Sequence, residues 1–300
     1  MRALVISGGG SKGAFAGGVA QYLIEKMGNQ YDLYLGTSTG SLLISHLALN
    51  KTQKIKKVYT SVDQNSIFSN TPFLIKRKHG QDNISINHFS VLWNFLKGKK
   101  TFGESENLKK LILNTVTEEE FEELKASKKD ILVTVSNISL NEVEYKSIHD
   151  YSYEDFCEWI WISCNYVPFM SLVQKNGCEY ADGGFGSMVP IEEAIKRGAT
   201  EIDAIILQTE VTYFNRLPSK NVFSLITNLF RFMLDRIERQ NIRIGKFEAT
   251  NKDVIINFYY TPTVLTTNSL IFDKVKMERW WESGFSFAKY KNEELNQIEP

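Results

Sequence analysis

The sequence predicts an α/β fold, with parallel strands alternating with helices that pack on the sheet. Three observations lead there. Short apolar runs at residues 3–7 and 33–35 each end in a glycine-rich turn, and each turn opens a helical run, at residues 14–27 and 41–50. Apolar runs of strand length recur at residues 130–136, 202–207 and 254–260. Of the 300 residues, 43% are hydrophobic and 12% aromatic, which is ample for one buried core.

The elements follow in order. Gly28-Asn29 supplies the turn that ends the first helix. Between residues 51 and 103 the pattern weakens, and polar turns separate short apolar pieces such as Phe73-Leu74-Ile75 and Val91-Leu92-Trp93. This stretch reads as a cap inserted over the sheet. Helices are expected at residues 105–114, 118–126 and 153–164. The run at 143–148 follows the strand at 130–136 after a polar turn, so a hairpin or edge strand is expected. A short strand at 179–181 ends at Asp182-Gly183-Gly184, Pro190 opens a helix and Gly198 closes it. Long helices at 222–244 and 273–295 flank the last strand. The first carries an apolar stripe at residues 222, 225, 226, 229, 230, 233 and 237 with arginines among them, which is expected to face the core, a membrane-surface helix being the alternative. With no repeat, low-complexity tract or linker, residues 1–300 are expected to form a single domain.

Charge narrows the class. Thirty-five acidic and thirty-five basic residues balance to zero, which argues against a nucleic-acid partner. The basic runs at 51–57 and 97–100 are expected to be solvated faces. Cys157, Cys164 and Cys178 have neither the even number nor the spacing of a disulfide framework or zinc site, so no metal is expected. No apolar run reaches the roughly 18 residues of a membrane span, and the first strand is too short for a signal's apolar core. A cytoplasmic protein, able to touch a membrane peripherally, is expected.

Two turns carry the chemistry. Gly36-Thr37-Ser38-Thr39-Gly40 places a serine where strand turns sharply into helix. Side chains at the −2 and +2 positions would collide with neighbouring backbone, hence glycine at both. The turn lifts the serine oxygen toward a helix N-terminus, where an anion is favoured. The motif alone arises by chance in about one chain in ten, so its weight lies in the strand before it and the helix after it.

Gly8-Gly9-Gly10-Ser11-Lys12-Gly13 supplies backbone N–H groups suited to a developing oxyanion. It also fits Gly-x-Gly-x-x-Gly, so a nucleotide-binding module is the rival reading. That reading needs an acid at the end of the second strand, whereas Asp32 stands at its start. Lys12 faces either an anionic head group or, as the better expectation, solvent.

The serine needs a base. Of His46, His79, His88 and His149, only His149 follows a strand, but it precedes Asp182 and so breaks the Ser-Asp-His order. Asp182 is the better candidate. It ends a strand, two glycines allow close backbone approach, and burial would raise a carboxylate from its reference pKa of about 3.9 toward a useful value.

These three motifs in this order resemble the patatin-like phospholipases. The segment 182–203, with Val189-Pro190-Ile191, resembles the family stretch after its catalytic aspartate. The likeness is strongest over residues 1–50 and 155–210. It implies a three-layer sandwich around a mainly parallel sheet with a helical cap. It implies Ser38 as nucleophile and Asp182 as base, with no histidine. Gly8, Gly9, Gly10 and Ser11 would form the oxyanion hole, with Lys12, Gly13, Gly36, Gly40, Gly183 and Gly184 as motif support. Ser163-Cys164-Asn165-Tyr166-Val167-Pro168-Phe169 departs from the family's pattern where the acyl pocket is shaped, which leaves chain-length and head-group preference open.

The resulting expectation is a lipid acyl hydrolase of phospholipase A type, acting on phospholipid or another acyl ester without a cofactor. An acyltransferase or thioesterase would use the same dyad, and a silent lipid-binding protein would not need it.

Overall fold

The computed structural model describes residues 1–78, 81–211, 218–219 and 221–298. The first half of the chain runs β1 (Arg2–Ile6), α1 (Gly13–Glu25), β2 (Leu33–Thr37), α2 (Thr39–Ala48), α3 (Thr52–Ser61), α4 (Gln64–Ile67), β3 (Phe73–Lys78), β4 (Gln81–Ile86), α5 (His88–Leu96), α6 (Glu106–Thr115), α7 (Glu118–Ala126) and β5 (Asp130–Asn137). The second runs β6 (Glu142–Ser147), α8 (Tyr153–Ser163), β7 (Val173–Lys175), β8 (Cys178–Asp182), α9 (Ile191–Lys196), β9 (Glu201–Ile206), α10 (Val222–Asn251), β10 (Ile255–Tyr260) and α11 (Lys274–Ile298).

The main sheet has the order β10-β9-β1-β2-β5-β8-β7, with β6 also pairing β5. β10, β9, β1, β2 and β5 are mutually parallel. β6 and β8 run antiparallel to β5, and β7, antiparallel to β8, returns to the common direction. β1 is a continuous apolar run because helices cover both faces of the sheet. Leu4 and Ile6 point into one core with Phe15, Leu43 and Trp281, whereas Ala3 and Val5 point into the other with Ile191, Ala194 and Ala249. This alternation gives three layers, helix on sheet on helix. On the first face α1 approaches α11 closely. A Cβ on Gly18 would lie 1.9 Å from the Trp281 carbonyl oxygen.

The expected hairpin forms as β5–β6. The short β7 was outside the expected elements, because three residues are too few to show alternation. Residues 51–103 hold α3, α4, the separate antiparallel β3–β4 hairpin and α5.

One helix differs from expectation. α10 was expected to bury its apolar stripe. Leu234, Ile237, Ile242 and Ala249 do pack toward the core, but Val222, Leu225, Leu229 and Met233 are exposed. In this first half, Phe230 packs edge-on against Tyr166 and Phe185. Among the described residues no helix is long and apolar enough to cross a membrane.

Candidate active site

Ser38 is the single residue between β2 and α2, with φ 53° and ψ −119°. A side chain in this region costs on the order of 1–3 kcal/mol, so the surroundings must hold it there. A Cβ on Gly36 would lie 2.5 Å from the Gly40 carbonyl carbon, and one on Gly40 would lie 2.3 Å from Ile6 O. The flanking glycines thus permit the crossing that the turn requires. The Ser38 N–H donates to Ser163 Oγ at 2.9 Å, and Ser163 in turn donates to Thr134 O at 2.6 Å. The Cys164 thiol donates to Ser38 O at 3.2 Å. The end of α8 therefore clamps the turn from both sides.

Sheet register brings the carboxylate alongside. Thr37 pairs with Thr134 on β5, and Asp182 pairs with the next β5 residue, Val135. Ser38 and Asp182 thus flank β5 at the same end of the sheet. Ser38 Oγ donates to Asp182 Oδ2 at 2.7 Å. The other carboxylate oxygen accepts the Gly184 N–H at 2.8 Å. The Asp182 N–H donates to Asn165 O at 2.9 Å. A Cβ on Gly183 would lie 2.2 Å from Thr134 O, so this glycine lets the strand end approach. Burial pushes the Asp182 carboxyl up to about 7, against the opposing pull of the bonds from Ser38 and Gly184.

The glycine loop lies against Ser38: a Cβ on Gly8 would be 3.3 Å from the Ser38 Cβ. Its four N–H groups are not equivalent. Gly8 donates to Met188 O at 3.2 Å and Ser11 to Ser269 O at 2.8 Å. Among the described residues, the N–H groups of Gly9 and Gly10 have no backbone or side-chain acceptor. The N–H groups of Gly8 and Ser11 are thus committed within the fold. Tyr59 on α3 ties loop to turn. Its hydroxyl donates to Gly10 O at 2.6 Å and hydrogen-bonds Thr39 Oγ1. Gly13 leaves room for this junction, since a Cβ there would lie 2.3 Å from both oxygens.

Lys12 does not face solvent as expected. It is buried, its ammonium donates to Leu207 O, and burial lowers its pKa while Glu238 on α10 opposes that shift. Burial in turn pushes the Glu238 carboxyl up to about 7.

The histidines divide by position. His149 bonds Lys129 O at 3.0 Å, beside the start of β5 and at the end remote from Thr134. His46 is buried on α2 against Thr115 O at 3.3 Å, and burial lowers its pKa. His88 borders the cavity, and His79 lies outside the described residues. Asp32 accepts the Arg2 N–H at 2.9 Å, at the sheet end opposite the glycine loop, so it is not placed to hold a ribose at that loop.

Ser38, Asp182 and the glycine loop open onto one cavity of about 870 Å³. Leu42, Ile55, Ile112, Phe169 and Met170 give it an extensive apolar wall, and Arg231, Asp235 and Glu238 a polar one. Among the described residues no His, Cys, Asp or Glu group is arranged to hold a metal ion.

A family model described as patatin-like phospholipase matches residues 4–195. The chain belongs to the patatin-like phospholipase family. The family is described as one of phospholipases. Its fold is also similar to the crystal structure of VipD from Legionella pneumophila, with a TM-score of 0.51 and 15% identity, covering 96% of this chain and 66% of that one. The patatin-like chain thus spans just under two-thirds of the VipD chain. No curated protein matches it by sequence.

Several site residues had no sequence signal. Ser163 and Cys164 sit in the segment expected to shape the acyl pocket, and Tyr166 and Phe169 do line the cavity. That Ser163 also holds the Ser38 amide was not foreseeable from an isolated serine at a helix end. Tyr59 and Glu238 reach the site from α3 and α10, elements that no motif links to it.

Proposed function

We propose that this protein hydrolyses carboxylic esters of lipids, in the manner of a phospholipase A, through a Ser38 acyl-enzyme with Asp182 as base. The observation that carries the reading is the 2.7 Å bond from Ser38 Oγ to a buried Asp182 carboxylate, inside a largely apolar cavity. Asp182 Oδ2 takes the Ser38 proton as Oγ attacks the ester carbonyl carbon. The tetrahedral oxyanion is met by the Gly9 and Gly10 N–H groups, each such donor contributing on the order of 3 kcal/mol to the transition state. Collapse breaks the carbonyl–oxygen bond, and Asp182 returns the proton to the departing lyso-lipid oxygen. Water then attacks the acyl-enzyme, Asp182 taking its proton, and the fatty acid leaves as Ser38 regains its hydrogen.

The apolar wall suits an acyl chain. The polar wall around Arg231 and Lys12 suits the more hydrated part of the substrate. Titration of fatty acid released from phosphatidylcholine mixed micelles tests the proposal. Purified protein is expected to release it, and Ser38→Ala is not. Equal release by both proteins refutes the assignment. Adding an alcohol acceptor in the same assay separates hydrolysis from acyl transfer.

A further inference from the structure

Residues 73–100 differ in chemistry from the rest of the chain. They contain six basic residues (Lys76, Arg77, Lys78, Lys97, Lys99 and Lys100) against one acid, Asp82, a surplus of five positive charges in a chain of zero net charge. At the centre of this segment lies α5. Of its nine residues only Val91 and Asn94 are buried. Phe89 is 80% and Leu96 72% exposed, and Leu92, Trp93 and Phe95 are each about half exposed. Leu74 and Ile75 on β3 are exposed as well. Contiguous apolar surface of this kind on a folded chain marks a surface that binds something.

Two features decide what covers it. The same segment forms part of the cavity wall, through Phe73, Ile84, Ile86 and His88. Its outer face therefore adjoins the space that holds Ser38. The charge decides between a second copy and a lipid surface. A two-fold contact between copies would bring two such basic segments together, which like-charge repulsion opposes. An anionic bilayer reverses that sign. Lys97 Nζ lies over the Trp93 ring, 5.2 Å from its centroid, pairing an indole with a cation as interfacial residues do. Lys99 pairs with Glu104 and Lys100 with Glu179, in solvent-accessible ion pairs that contribute little and can be exchanged for lipid phosphates. Ser224 and Asn228 of α10, a helix that also exposes apolar residues, border the same cavity.

We infer that α5 and its described flanks, residues 73–78 and 81–100, dock on an anionic phospholipid bilayer. The apolar side chains of α5 enter the boundary between head groups and acyl chains, and the flanking lysines meet the head groups. This inference goes beyond the proposed hydrolysis.

The test uses Ser38→Ala protein, so that binding is scored without turnover. It is sedimented with phosphatidylcholine vesicles, with and without phosphatidylserine. Phosphatidylserine is expected to tighten binding by about tenfold or more, and added salt to weaken it. Adding Phe89→Ser and Leu96→Ser is expected to reduce vesicle binding at least about tenfold. The same pair of changes in the protein with Ser38 intact is expected to leave hydrolysis of soluble p-nitrophenyl butyrate unchanged. Three results overturn the inference: binding indifferent to phosphatidylserine, full binding by the double variant, or a double variant that instead converts a dimer to a monomer. Vesicle binding without any ester hydrolysis would count against the proposed activity and leave the docking surface standing.

Discussion

Ser38 and Asp182 share a 2.7 Å hydrogen bond although 144 positions separate them in the chain. The bond exists because β8 runs against β5 and delivers its last residue to the level of the β2–α2 turn. Burial of Asp182 sets a pH dependence. With its carboxyl pushed up to about 7, the base is protonated below that pH and free above it. Ester hydrolysis is expected to rise through pH 7 and level off, as a profile of kcat/KM will show.

Stability is expected to move the other way. The folded state holds the Asp182 proton to a higher pH than the unfolded chain, so stability from this group is present at low pH and is lost as pH rises from about 4 to 7. A neutral Asp182→Asn side chain escapes that loss. It is expected to be inactive, yet more stable than wild type at pH 8, by at most about 4 kcal/mol. Thermal denaturation at pH 5 and pH 8 checks this, and a variant destabilised equally at both pH values would refute it.

The strained turn gives a second contrast. Ser38→Ala and Ser38→Gly both remove the hydroxyl, but only glycine relieves φ 53°. Both are expected to lose hydrolysis. Ser38→Gly is expected to be more stable than Ser38→Ala by about 1 kcal/mol. Urea denaturation of the pair measures the difference directly.

Tyr59 is expected to act on catalysis by positioning the glycine loop. Tyr59→Phe keeps the ring beside Trp281 but removes the hydroxyl that joins Gly10 to Thr39. The expected outcome is a fall in kcat of about tenfold with KM nearly unchanged, the pattern of an interaction made in the transition state. Affinity for a trifluoromethyl ketone, which mimics the tetrahedral state, is expected to fall in step. Loss of melting temperature without loss of that affinity would make Tyr59 merely structural.

Lys12 and Glu238 form a buried electrostatic pair across the glycine loop and α10. Lys12→Met removes a cation that draws the Glu238 carboxyl down and leaves Leu207 O without its donor, and is expected to destabilise the protein by about 1–3 kcal/mol. Adding Glu238→Gln is expected to restore most of that loss. A double variant no better than the single one would show that the two groups do not offset each other.

Local physics made part of this site legible. Glycines at 36 and 40 mark the turn because their Cβ atoms would strike backbone within the same few elements. The strand-turn-helix alternation likewise marks β1, β2 and the layers around them. What stayed hidden depends on distant elements arriving at one place. Ser163 holds the Ser38 amide from α8, Tyr59 bridges two loops from α3, and Glu238 acts electrostatically on the buried Lys12 from α10. A serine, a tyrosine and a glutamate in ordinary helices carry no spacing that announces such contacts. The apolar stripe of α10 misled for a related reason. Periodicity shows that a face exists, whereas only topology decides whether anything packs against it.

Activation of Ser38 by Asp182 is the claim on which the rest depends. Reaction with a fluorophosphonate probe followed by peptide mapping tests it most directly. The account predicts covalent modification at Ser38 alone, with the rate of labelling collapsing in Asp182→Asn. Labelling at another serine, or undiminished labelling of Ser38 in Asp182→Asn, would contradict it.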